Sequence, residues 1–195
     1  MIYLVRHGQT EFNAAGRWQG QVDSPLTQLG LSQASRVAET LHRLVNTSEV
    51  AIFSSPLGRA QHTAKIIAEK LGKPDGIILD PRLMEVGMGS WDGLTDVDIE
   101  YQWPNARAGL DRHEWFFHSP NGETYEVMST RVNRALKIIR EHSAPIKIIV
   151  SHGVTGRILR GLHSNTPRDE SLRLDVPQDA IFRLSEDGRI ELIAC

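Results

Sequence analysis

The sequence predicts one α/β domain built in three layers, with helices on both faces of a mostly parallel central sheet. A small cap is expected over the carboxyl edge of the strands. Three observations carry this expectation. Short apolar runs at Ile2–Val5, Val50–Phe53 and Ile146–Val150 are separated by stretches with helical periodicity, the alternation of a sheet covered on both sides. Each run stops abruptly in polar residues: Arg6-His7-Gly8, Ser54-Ser55-Pro56 and Ser151-His152-Gly153. Between the second and third runs lies a long stretch without periodicity that is nonetheless rich in aromatics.

Taken in order, Ile2–Val5 reads as a buried strand and 14–26 as a loop, since Gly16, Gly20, Asp23, Ser24 and Pro25 are turn formers. Thr27 is an N-cap candidate for a helix to about Val45, with Leu31, Ala34, Ala38, Leu41 and Val45 on one face. Val50–Phe53 is the second strand. A helix from about Leu57 to Leu71 follows, with Gly72 just past its end. Ile77–Leu79 makes a third, short strand. From Met84 to Gly122 the pattern fails; Trp91, Trp103, Trp115, Phe116 and Phe117 argue for a packed, partly helical cap at about 86–122 rather than disorder. A helix then runs to about His142, a strand from Ile146 to Val150, and a short helix from about Val154 to Leu162. Ala180–Leu184 and Arg189–Ile193 flank Glu186-Asp187-Gly188 as a closing hairpin. No repeat or linker divides the chain, so residues 1–195 are expected to be a single domain.

Composition narrows the function. The 195 residues carry a formal net charge of −2, which gives no overall electrostatic case for nucleic acid or an anionic membrane. Any anion site must be local. A single cysteine, Cys195, excludes an intrachain disulfide and a cysteine metal cluster. No apolar run approaches ~18 residues, and no charged leader precedes the first strand. A soluble cytoplasmic protein is expected, as monomer or homodimer.

Two strands end in the same pattern, an apolar run and then His7-Gly8 or His152-Gly153. As neighbours in a parallel sheet they would bring both histidines to one edge, where open α/β sheets bind ligands. Arg6 lies beside His7, and Arg59 falls in the first turn of the helix after the second strand. Two guanidinium forks and two imidazoles make a local cationic pocket suited to phosphate. One histidine can accept a phosphoryl group as nucleophile while the other donates to its oxygens.

These residues lie within a wider set: Leu4-Val5-Arg6-His7-Gly8-Gln9-Thr10 with Asn13, Asp23-Ser24-Pro25-Leu26-Thr27 with Gly30, Ser54-Ser55-Pro56-Leu57 with Arg59-Ala60, Leu83-Met84-Glu85, Gly89-Ser90-Trp91-Asp92-Gly93, Pro120 with Gly122-Glu123, and Ser151-His152-Gly153. In kind and order the set resembles the histidine phosphatase superfamily, in its phosphoglycerate-mutase-like branch. The resemblance implies that His7 is the nucleophile, and that Arg6, Arg59 and His152 clamp the phosphoryl oxygens with help from Asn13. It implies that Glu85 protonates the leaving alkoxide and then activates water. A carboxyl beside bound phosphate is favoured in its protonated form, which suits that role. His7 must stay neutral at its attacking nitrogen, so its other nitrogen is expected to donate to a backbone carbonyl. Thr10, Gln19, Gly20 and Gly153 are further substrate-binding candidates.

No metal and no cofactor are expected; His113, His118 and Asp111 fit no common ligand spacing. The chain lacks the long insertion with adjacent arginines that mutases of this family use, since Arg107 and Arg112 are separated. A phosphomonoester hydrolase acting on small organic phosphates is therefore the expected activity, of broad specificity or like an α-ribazole phosphatase. A phosphoglycerate mutase or an inactive phosphate-binding relative are the alternatives. The aromatic cap suggests substrates with an apolar or aromatic moiety.

Overall fold

The computed structural model describes residues 1–195. Six strands form one sheet: β1 (Ile2–Arg6), β2 (Val50–Ser54), β3 (Ile77–Leu79), β4 (Ile146–Ser151), β5 (Ala180–Leu184) and β6 (Ile190–Ala194). Their spatial order is β3-β2-β4-β1-β5-β6. The first four are mutually parallel, and the β5–β6 hairpin joins β1 antiparallel. Seven helices accompany them: α1 (Glu11–Ala14), α2 (Gln28–Leu44), α3 (Gly58–Lys70), α4 (Asp96–Gln102), α5 (Tyr125–Glu141), α6 (Gly153–Ser164) and α7 (Arg168–Ser171). The short α1 and α7 carry no buried apolar stripe that periodicity would reveal.

Successive strand residues divide between two cores, as the pleat requires. Tyr3 and Val5 of β1 pack with Val37 and Leu41 of α2 and Ala64 and Ile67 of α3. Ile2 and Leu4 pack instead with Val132 and Leu136 of α5 and Ile158 of α6. The sheet is thus buried on both faces and the fold has three layers. Thr27 caps α2 by accepting from the Gly30 amide, as its position suggests.

The stretch after Met84 is partly helical, with α4 and 3₁₀ turns at Gly89–Trp91 and Trp115–His118. Trp91, Trp115, Phe116 and Phe117 are buried in the same cluster as Leu4, Phe53 and Leu136. The cap is therefore continuous with one core of the sheet. The Trp91 and Trp115 rings lie 5.5 Å apart, and Trp115 meets Trp18 edge-on at 4.9 Å.

Gly8 and Gly30 let two backbones touch: a Cβ on Gly8 would lie 2.2 Å from the Gly30 carbonyl oxygen. Gly8 thus serves the seating of the loop after β1 on α2.

Candidate active site

The β1–β4 register pairs Arg6 with Ser151, so the next residue of each strand emerges at the same edge. The His7 amide donates to the Ser151 carbonyl at 3.0 Å, and the His7 and His152 ring centroids are 5.1 Å apart. Both rings are almost fully buried. His7 Nδ1 is 2.8 Å from the Gly8 carbonyl, an acceptor only, so Nδ1 carries the proton and Nε2 holds the lone pair. Burial foremost, then Arg59 and Arg6, push His7 well below the usual imidazole range, so it is neutral near pH 7.

His152 is likewise held well below that range, by burial first and then by Arg59, His7 and Arg6. Its Nε2 lies 2.7 Å from Ser55 Oγ, which also accepts from the Leu57 amide. With the Ser55 hydroxyl donating to Nε2, His152 carries its proton on Nδ1 and can donate it. That Nδ1 is buried without a partner in the protein.

Arg6 donates from Nη1 to the Val176 carbonyl at 2.7 Å. Burial lowers its guanidinium to about 10, with Glu85 opposing, so it remains a cation at neutral pH. Arg59 is fastened by loop 14–26. Its Nη2 donates to the Gly20 carbonyl at 2.7 Å, and its Nη1 to the Val22 carbonyl at 2.9 Å and Asp23 at 3.2 Å. Asp23 also accepts from the Gly58 and Arg59 amides, capping α3 from outside because Leu57 at its N-cap has no side-chain bond to offer. Arg6 Nε and Arg59 Nε, like His152 Nδ1, are buried without protein partners.

Glu85 comes from the start of the irregular stretch and meets the N-terminus of α6. Its carboxylate accepts from the amides of Val86 at 3.1 Å, Val154 at 3.1 Å and Thr155 at 3.0 Å, and from the Thr155 hydroxyl at 3.2 Å. Gly153 begins α6 between Glu85 and Arg6; a Cβ there would sit 3.5 Å from the Glu85 carboxylate.

His7, Arg6, Arg59, Glu85, Asn13, Gln19, Gly20 and Gly153 all line one cavity of about 630 Å³. Gly20 adopts φ +51° there, and a Cβ would collide with Asp92 at 1.7 Å. Thr10 does not reach the cavity. It is fully buried, caps α1 by accepting from the Asn13 amide, and donates to Gln19 at 2.6 Å. A threonine before a helix is drawn to such a cap, and here that use replaces contact with a ligand. Gln19 in turn accepts from Asn13 Nδ2 at 3.3 Å, so these side chains form one network. No three His, Cys, Asp or Glu side chains gather into a group able to hold a metal ion.

A model of the histidine phosphatase superfamily (branch 1) matches residues 2–191. The chain belongs to that superfamily. A relative described as probable phosphoglycerate mutase GpmB, from Yersinia pestis (strain Pestoides F), is 41% identical over 191 residues, covering 94% of this chain and 83% of that protein. Among solved structures, mycobacterial glucosyl-3-phosphoglycerate phosphatase in complex with VO3 is 29% identical, with a TM-score of 0.81 over 99% of this chain and 96% of that one. A putative alpha-ribazole-5'-P phosphatase from Escherichia coli K-12 superposes with a TM-score of 0.83 over 100% and 95% of the two chains; at 24% identity it speaks for the fold alone. No helix is long and apolar enough to cross a membrane.

The candidate site also includes residues that sequence reasoning missed. Gln178 donates to the His7 carbonyl at 3.2 Å and to Asn13 Oδ1 at 3.1 Å. Arg157, one turn into α6, lines the cavity and donates to the Leu174 carbonyl at 2.7 Å. Burial foremost lowers its pKa. Arg17, Arg112 and His113 line the outer wall. Only the helical spacing from His152 to Arg157 was a readable signal, since it places both near the same end of α6.

Proposed function

We propose that the protein is a phosphomonoester hydrolase working through phosphohistidine. The observation that carries this reading is the trio of buried, unpartnered polar atoms, Arg6 Nε, Arg59 Nε and His152 Nδ1, beside a neutral His7 with its Nε2 lone pair free. Buried donors without partners are costly, and three around one nucleophile suit an oxyanion. In the first step the Nε2 pair attacks phosphorus, and the P–O bond to the leaving group breaks. The leaving oxygen takes its electron pair and a proton from Glu85. Water then attacks the phosphohistidine, gives a proton back to Glu85, and the P–N bond breaks to release phosphate and neutral His7. Four donors fix the Glu85 carboxyl group in place for the two proton transfers.

The cavity revises the expected substrate class. Of the cap aromatics only Phe116 lines it, while Arg17, Arg112 and Arg157 do so from three elements of the chain. Trp91, Trp115 and Phe117 are buried in the core, while Trp18 of loop 14–26 adds a second aromatic to the cavity wall. A leaving group bearing a carboxylate or further oxygens fits this wall better than a plain aromatic one. The names of the mutase relative and the mycobacterial phosphatase both specify phosphoglycerate compounds, which agrees with such a wall.

The 41% identity to a probable mutase favours a second reading, phosphoglycerate isomerisation. Against it, Arg107 is bound to Asp96 and stacked on Trp115 at 4.9 Å, so Arg107 and Arg112 do not act as a pair. The deciding assay is p-nitrophenyl phosphate hydrolysis from mildly acidic to neutral pH in excess EDTA, with 3-phosphoglycerate conversion followed in parallel. The parent is expected to release phosphate, and His7→Ala to lose at least about 10⁴-fold. Loss of activity to EDTA, or undiminished turnover in the variant, would sink the mechanism. Isomerisation without phosphate release would establish the mutase.

A further inference from the structure

The backbone that carries Glu85 is held by side chains from distant parts of the chain. Arg131 of α5 donates from Nη1 to the carbonyls of Arg82 at 2.9 Å and Met84 at 2.8 Å, and from Nη2 to that of Glu85 at 2.9 Å. Ser151, the last residue of β4, donates to the Leu83 carbonyl at 2.9 Å. Thr155 adds a bond to the Met84 carbonyl and Gln21 one to that of Glu85. Every carbonyl from 82 to 85 therefore accepts from a side chain.

The other edge of the Arg131 guanidinium pairs with Glu123, Nε at 2.6 Å and Nη2 at 2.7 Å. Glu123 accepts in turn from the Gly87 amide at 2.9 Å, and its own amide donates to the Gly87 carbonyl at 2.7 Å. The Arg131–Glu123 pair grips the chain on both sides of Glu85. A guanidinium has five N–H donors, and the five bonds of Arg131 engage them all in a half-buried setting. Three of the five are aimed at the one segment that bears the acid. Arg131 does not line the cavity; its contacts act on that segment, while its charge also helps to lower the pKa of His152.

We propose that Arg131, locked by Glu123, is a positioning residue for the proton transfers of Glu85. The proposal rests on the role given to Glu85 above. Guanidinium geometry matters here, because one planar group reaches three carbonyls and a carboxylate together; lysine has no such fork. A displacement of about 1 Å in a catalytic group costs on the order of 100-fold in rate.

The experiment compares kcat/KM across 2,4-dinitrophenyl, phenyl and alkyl phosphates for the parent, Arg131→Met, Arg131→Lys and Glu85→Gln. Dinitrophenolate departs without a proton, whereas an alkoxide needs one, so the series isolates the acid. Arg131→Met is expected to lose about 100-fold on alkyl phosphates and less than about threefold on the dinitrophenyl ester, with Arg131→Lys recovering part of the loss. A uniform loss across the series, with Glu85→Gln still steep, would overturn the role of Arg131 alone. A flat Glu85→Gln series would overturn the acid assignment itself, and the proposal with it. Should Arg131→Met fail to fold, Glu123→Gln in the same series decides, steep dependence supporting the proposal and flat dependence refuting it.

Discussion

The two halves of the candidate active site are positioned by different means. His7 and His152 stand where two parallel strands end in register, with the His7 amide still hydrogen-bonded to Ser151. Glu85 stands on an irregular segment held by Arg131, Ser151, Thr155 and Gln21. The place of His7, the proposed nucleophile, follows from the sheet ladder. The place of Glu85, the proposed acid, depends on a network in which each donor comes from a different element. Arg59 is intermediate: α3 presents it, but Gly20, Val22 and Asp23 aim it.

The sharpest way to break this comparison is through the cap. If Trp91 belongs to the same core as β1, Trp91→Ala should destabilise the whole molecule by about 3–5 kcal/mol in a single urea transition, coincident by fluorescence and circular dichroism. A separate early transition of the cap would show that the acid segment rests on an independent unit.

A second effect comes from the strand-end histidines. Both have folded pKa values well below the ordinary 6.5, so below that pH the unfolded chain takes up protons that the native state refuses. Their contribution is fully present above pH 6.5 and is lost as pH falls beneath it. Between pH 7 and 5 the loss should reach about 2 kcal/mol for each histidine. Urea titrations at both pH values, for the parent and for the His7→Ala/His152→Ala double variant, read the difference; equal pH slopes would mean the two rings titrate normally.

The smallest expected effect concerns Asp23. Asp23→Ala removes the external cap of α3 and the carboxylate beside Arg59, and should cost about 1 kcal/mol of stability. Because Arg59 keeps its two carbonyl acceptors, KM should rise severalfold with kcat largely retained. A collapse of kcat would mean that Asp23 matters to the chemical step as well as to the aim of Arg59.

Much of the molecule was legible beforehand because its signals are local. The apolar runs of β1, β2 and β4, the helical stripes of α2, α3 and α5, and the Glu186-Asp187-Gly188 turn each lie within a short window. The matching strand ends bring His7 beside His152 provided the strands are parallel neighbours, and the β1–β4 pairing meets that condition. The partner of His7 Nδ1 was legible too, because a nucleophilic imidazole must carry its proton on the other nitrogen.

What only the tertiary structure decided is held together by contacts distant in sequence. Thr10 looked like a ligand contact and is a helix cap; the aromatics form the packed cap that was expected, and packing decided that Phe116 is the one among them to line the cavity. Gln178 reaches His7 across 171 positions, and Arg131 reaches Arg82 across 49. A side-chain donor shows its type in the sequence but not its acceptor, because the acceptor is a backbone carbonyl that every residue possesses. Periodicity therefore determined the main strands and helices and the edge where the candidate site lies, while packing alone determined which donors meet which carbonyls, and through them where Glu85 stands.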